Sequence, residues 1–193
     1  DKTIHMLPTN ISSLCSLGES EKSSALSVGF RMINCQISDI RILQSEIKVV
    51  KMSYEEADQV LKEDQALSKL NALAEFHKAF RNNNGAIKLD LPNVDVKLKN
   101  KKVDIQIQTE SESRKLIAEM MVIAGRVIAQ YATENKISMP FLTQEVGSFS
   151  EDIIQNKENL TATQAFQATR CFKQSKITPK ASLHAGLGLS CYI

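Results

Sequence analysis

The chain has 193 residues, of which 42% are hydrophobic and 24% charged, ordinary values for a folded domain that exclude a disordered tail or a disulfide-dense miniprotein. Lys and Arg total 24 against 22 Asp and Glu, so the net charge of +2 excludes a wholesale basic coat but leaves room for a local basic groove. Trp is absent and only 5% of residues are aromatic, so any ring-stacking surface has few rings to use.

Thr3 to Ser24 is rich in Ser, Thr, Asn and Pro and reads as a loop anchored by Ile4, Met6, Leu7, Leu14 and Leu17. Two strand-like runs follow, Ala25–Met32 and Ile37–Val50, with β-branched residues in partial alternation. Ser53 with Glu56 three residues on predicts a capping box and a helix start. The helix breaks near Lys62–Asp64, resumes through Leu67, Leu70, Leu73 and Phe80, and stops at Asn82–Asn84 and Gly85. Val94, Val96 and Leu98, then Val103, Ile105 and Ile107, alternate with polar residues around an Asn100–Lys101 turn and predict a hairpin with one wet face. From Ser113 to Asn135 a wide apolar stripe, including Leu116, Met120, Ile123, Val127 and Tyr131, predicts a central helix packed on several sides. Lys136–Leu160 reads as irregular, Thr161–Phe172 as a further helix, and Ser182–Ile193 as a close-packed turn with two glycines.

Candidate chemistry is sparse. His5, His77 and His184 sit in unrelated contexts, so no Ser-His-Asp arrangement can be argued, and His77 reads as a solvated helix residue. Gly186 and Gly188 lack the third glycine and leading strand of a dinucleotide fingerprint. Asp90, Asp95 and Asp104 could hold a metal, but alternation beside lysines fits a solvated sheet face with cross-strand ion pairs better. Lys97, Lys99, Lys101 and Lys102 read as a solubilising hairpin tip, with phosphate contact as the alternative. Glu119 lies amid Leu116, Ile117, Met120 and Met121; it either turns to solvent at the helix edge or is buried against partners for a reason. Cys15, Cys35, Cys171 and Cys191 show neither C-x-x-C nor metal spacing and read as buried, reduced thiols, which points to an intracellular setting. No unbroken run of about 18 apolar residues suggests a membrane span. The chain begins at Asp1 without a leader and stops directly after an apolar run, so it is expected to be a segment of a longer protein.

Several blocks, in order, resemble the ribonuclease II / ribonuclease R family, whose catalytic unit is the RNB domain, and are nearest its cyanobacterial and plastid branch. They are Met6-Leu7-Pro8, Ile11-Ser12 and Leu14-Cys15-Ser16-Leu17; Ala25–Val28; Ser53–Ala57; Arg81 with Gly85-Ala86-Ile87; Leu116–Gly125; Met139-Pro140-Phe141 with Gln144; and Leu183–Leu189 with Tyr192. Ala118 and Gly125 stand where that family's central helix has Glu and Asn, Leu142–Gln144 replaces its R-x-H, and Leu89 stands where a Phe commonly stacks on terminal bases.

The resemblance implies an α+β fold, the central portion of an RNB-type catalytic domain with mixed strands around a long buried helix. It implies that residues 1–193 are a partial domain, with the metal-binding aspartate cluster upstream and a T-S-P-I-R-R-Y-type element downstream. The implied parent is a processive hydrolytic 3′→5′ exoribonuclease that degrades single-stranded RNA to nucleoside 5′-monophosphates with Mg²⁺; the alternative is a non-catalytic RNA-binding or scaffold protein on a decayed RNB fold. No catalytic or metal-binding residue is expected in this segment, which alone should be inactive. Glu119, Leu89, His184 and Tyr192 are the implied RNA contacts, Glu119 by accepting a hydrogen bond from the ribose 2′-OH. A monomer without membrane attachment is expected, in the bacterial cytoplasm or in a plastid.

Overall fold

The computed structural model describes residues 4–86, 94–99, 102–107, 111–148 and 161–193. The expected roles of Leu89 and Asp90, and the Asn100–Lys101 turn, fall outside them. The chain divides into two units, Asp1–Ala57 and Asp58–Ile193, each taken here by itself.

The first unit is built on one long hairpin. Strands β1 (Ser23–Ile33) and β2 (Gln36–Ile47) pair antiparallel; β1 extends past both ends of the predicted run, while β2 starts one residue earlier than predicted and stops before Val50. Their two-residue loop places Asn34 and Cys35 at φ +48° and +59°, the doubly left-handed turn whose twist matches the strands. Cys35 is buried there. A register shift between Gly29 and Arg31 sits opposite Asp39, itself at φ +52°, and Arg31 Nε reaches Asp39 Oδ2 at 3.5 Å across it. The preceding segment is not all loop. Pro8, with its fixed φ, leads into a short helix α1 (Thr9–Cys15), and Ser16 Oγ bonds back to the Ser12 carbonyl at 2.7 Å. Its apolar residues do not anchor it: Leu14 is exposed, and so is Cys15, against the expectation of four buried thiols.

Helix α2 (Tyr54–Val60) straddles the boundary between the units. The predicted capping box is present, with Ser53 N–H donating to Glu56 Oε2 at 2.7 Å and Glu56 N–H to Ser53 Oγ at 3.1 Å. The break at 61–64 lets Asp64 cap α3 (Gln65–Asn83), its Oδ1 accepting from Ala66 and Leu67 N–H. Gly85, at φ +90°, follows its end as expected. The hairpin β3 (Val94–Lys99) and β4 (Lys102–Ile107) forms in the predicted register, with Val96 opposite Ile105 and Leu98 opposite Val103.

Helix α4 (Glu112–Glu134) is the spine of this unit. Its first turn is held by Ser111 and by Asp58, whose carboxylate accepts Ser113 N–H at 2.8 Å, favourable at the positive end of the helix dipole. Leu116 packs with Leu61 and Ala74, while Ala129 and Ala132 pack on Phe141. By length and composition α4 is apolar enough to cross a membrane, which a search for unbroken apolar runs misses; its buried face packs against α3 instead.

The 136–148 stretch, expected to be irregular, contains strand β5 (Phe141–Thr143), paired antiparallel with β6 (Lys176–Thr178). Three-residue strands leave too little alternation to read. Helix α5 (Ala162–Cys171) lies between them in sequence, with a Thr161–Gln164 capping box. The chain then closes in a single 3₁₀ turn, Ala185–Leu187.

Candidate nucleic-acid interface

His77 and Arg81 are one turn apart on α3 and meet Glu119 of α4. His77 Nδ1 lies 2.6 Å from Glu119 Oε1, and Arg81 grips the carboxylate with two nitrogens, Nε to Oε1 at 2.9 Å and Nη2 to Oε2 at 2.5 Å. Glu119 is only 5% exposed and His77 0%. The reading of His77 as a solvated helix residue is therefore corrected, and of the two readings open for Glu119 the buried, partnered one holds. The physical reason is the facing of α3: Ala74, His77 and Arg81 recur at helical spacing and point the small residue and the two donors at α4.

A buried carboxylate is costly unless its lone pairs are filled. Burial pushes the Glu119 carboxyl up, but hydrogen bonds from His77 and Arg81, with the nearby positive charge, outweigh it and hold the carboxyl below the usual range. Glu119 is thus an ionised anchor whose two oxygens face nitrogen donors. A ribose hydroxyl would have to enter a site already engaged.

What the anchor holds is the closing turn. Arg81 Nη1 donates to the Leu187 carbonyl at 3.3 Å. The Arg81 carbonyl in turn lies against Gly188, where an added Cβ would stand 2.5 Å from it. Gly188 is also at φ +63°, so glycine is required twice over. From the other side Gln144 clamps the same turn: its Oε1 accepts Gly186 N–H at 2.8 Å, and its backbone pairs with Leu183 and Ala185. Its side-chain amide donates to the Lys173 carbonyl at 2.7 Å.

His184 begins this turn. Its Nδ1 accepts the Leu187 N–H at 3.3 Å, which places the neutral ring's proton on Nε2. Burial pulls the imidazole below its ordinary value. Tyr192 meets the His184 ring edge-on at 5.9 Å and covers Gly125, where a Cβ would fall 2.4 Å from the tyrosine ring. Beside the turn lies a cavity of about 320 Å³ lined by Phe80, Asn84, Arg126, Leu189 and Ser190, with the Arg126 guanidinium 4.8 Å above the Phe80 ring.

Three of the four expected RNA contacts, Glu119, His184 and Tyr192, therefore converge on one turn, linked through Arg81 and Leu187. The fourth, Leu89, lies outside the described residues. Sequence reasoning missed His77 and Gln144 as members of this neighbourhood. The spacing of Ala74, His77 and Arg81 was a usable signal for the first; for the second the signal was its place in the Met139-Pro140-Phe141 block, which marked Gln144 without giving it a role.

Among the described residues no group of three His, Cys, Asp or Glu could hold a metal ion. Glu119, the only buried carboxylate among them, is engaged by nitrogen donors, so these residues do not fit a Mg²⁺ site.

Comparison with known proteins gives the family. The RNB domain family matches the chain over residues 1–193. An uncharacterized ribonuclease of Synechocystis, a cyanobacterium, is 30% identical over 184 residues, covering 92% of this chain and 28% of the relative. Ribonuclease R of Chlamydia pneumoniae is 33% identical over 174 residues, covering 84% and 25%. The chain thus spans about a quarter of the length of these curated relatives. Among solved structures, Mycoplasma genitalium RNase R in complex with ribose-methylated single-stranded RNA superposes with a TM-score of 0.80 at 18% identity, covering 97% of this chain and 36% of that one. At that identity the likeness is one of fold, and it matches the α+β architecture expected from the sequence.

Proposed function

The chain belongs to the RNB domain family, and on that footing we propose that it is part of the catalytic domain of a processive hydrolytic 3′→5′ exoribonuclease that degrades single-stranded RNA to nucleoside 5′-monophosphates. The observation that carries the reading is the family match along all 193 residues. The geometry supports it by linking three of the expected contact residues to one turn: His184 begins it, Tyr192 meets His184, and Glu119 reaches it through Arg81. In this reading His184 and Tyr192 border the RNA path and Leu89 adds an apolar contact. Glu119 serves the path from behind, by fixing Arg81 and through it the Leu187 carbonyl. Mg²⁺, bound by residues outside this segment, would supply Lewis-acid activation of water. The segment by itself is then inactive, and the parent acts as a monomer in the bacterial cytoplasm or in a plastid.

The test uses the full-length parent with 5′-labelled single-stranded RNA and Mg²⁺. A ladder shortening one nucleotide at a time from the 3′ end, with mononucleotide products, is the expected result. RNA that is bound but left intact would assign the protein to the non-catalytic, RNA-binding class.

A further inference from the structure

A groove of about 740 Å³ runs beside β5 and β6, apart from the Glu119 cluster. Among the described residues its rim carries Lys173, Lys176 and Lys180, with Glu145 as the one acid. The lining is thus positive by two charges, as large an excess as the net charge of the whole 193-residue chain. Lys176 reaches Glu145 at 3.7 Å in an exposed pair, an arrangement that holds a lysine only loosely. Among the described residues Lys173 and Lys180 have no carboxylate partner. Val146, Pro179 and Leu183 supply an apolar wall, and Thr143 and Ser182 supply hydroxyls.

The groove is fixed to the closing turn. Gln144 lines it and holds the Lys173 carbonyl and the Gly186 N–H with one side chain. Pairing of Thr143 with Lys176 fixes the register of the opposite wall. A polymer lying in the groove would therefore be held at a set distance from His184, the first residue of the turn.

A groove that is cationic and partly apolar, with no aromatic ring among the described residues of its lining, suits a flexible polyanion recognised by its phosphates rather than by its bases. We propose that this groove binds the phosphate backbone of single-stranded RNA through Lys173, Lys176 and Lys180, as a second contact beside the His184 turn. The inference rests on the exoribonuclease reading and adds to it where a strand is gripped without regard to sequence.

The experiment compares the full-length parent with its Lys173→Gln/Lys176→Gln/Lys180→Gln variant, using labelled oligo(A) and anisotropy between about 50 and 200 mM salt. Each lost phosphate contact should lower the slope of log K against log salt by about 0.7. The triple variant should therefore lose about 2 in slope and bind about 10-fold more weakly at the low-salt end. Glu145→Gln, which releases Lys176, should tighten binding in the opposite direction. Unchanged affinity and slope in both variants, with wild-type protein still degrading RNA, would overturn the groove and leave the exoribonuclease reading standing. Unchanged RNA binding with loss of polyglutamate binding would overturn it in favour of an acidic protein partner. Wild-type protein that binds RNA without cleaving it would sink the exoribonuclease reading, while the slope comparison would still decide the groove.

Discussion

The Glu119 cluster and the lysine groove use charged residues in opposite ways. In the cluster one carboxylate is buried and engaged by two neighbours on α3. In the groove three lysines sit at the surface against a single exposed carboxylate. The first arrangement is locally compensated, so it serves the fold; breaking it leaves a charge buried alone. The second is only partly compensated among the described residues, by Glu145, which fits service to a partner, and its removal should cost the fold little. Exposure, more than residue type, separates the two, and sequence position gives little hint of exposure for a charged side chain.

The largest effect should come from the cluster. Glu119→Ala strands Arg81 and His77 in the interior and should destabilise the α3–α4 pair by about 3–5 kcal/mol, the usual cost of removing one partner from a buried pair. Amide hydrogen exchange along α3 and α4 in the parent protein would read this directly. The same variant decides how Glu119 relates to RNA. If the RNA-over-DNA preference is unchanged while protection falls, Glu119 acts only through Arg81; a relaxed preference with protection intact would mean that it touches the ribose. Acid should reproduce part of the loss. The Glu119 carboxyl is held below its ordinary value, so its contribution is complete above about pH 4.3 and disappears as pH falls through the lower folded-state value.

Next comes the turn that the cluster supports. Gly188→Ala must place a side chain in left-handed backbone, at about 1–3 kcal/mol, and against the Arg81 carbonyl as well. Arg81 would be displaced along with its grip on Glu119. The expected result is weaker RNA binding by the parent, with faster exchange confined to the turn and the end of α3. Exchange that rises equally across α4 would mean that Gly188 matters for global folding rather than for the turn.

Much of this was legible in the chain, and the rest failed for identifiable reasons. Caps read well because they are local: Ser53 with Glu56, and the stop at Gly85, are decided within four residues. Helix α4 read well because its core face is long: eight of its residues are buried, with Leu116, Ile123 and Val127 of the predicted stripe among them. His77 and Glu119 are 42 residues apart, and no local rule joins them. Strands β5 and β6 are too short for periodicity, yet they build the groove. Helix α1 hid within Ser- and Asn-rich sequence that composition assigns to loops.

A smaller effect should follow pH at His184. Burial lowers its imidazole, so the unfolded chain takes up a proton there before the folded turn does. The contribution of the turn is complete above about pH 6.5 and falls as pH drops toward the folded value. Protonation also turns Nδ1 into a donor and breaks its bond to the Leu187 N–H. Exchange of the Leu187 amide should accelerate as pH falls from about 6.5 through the lower folded-state value, beyond the change intrinsic to an amide. His184→Gln, which keeps an acceptor, should remove that dependence; its persistence would point to a different titrating group.

The smallest effect is the most pointed test of the contrast. Exposed lysines with at most a 3.7 Å surface pair contribute almost nothing to folding, because water screens the pair and the side chains lose entropy in holding it. Replacing Lys173, Lys176 and Lys180 together with Gln should change local stability around β5 and β6 by no more than about 0.5 kcal/mol per site, and with either sign. Exchange protection of the β5 and β6 amides would then match the wild type while the salt slope of RNA binding flattens. A loss of several kcal/mol would show that these lysines are structural after all. The groove would then belong with the Glu119 cluster, as charge held for the fold.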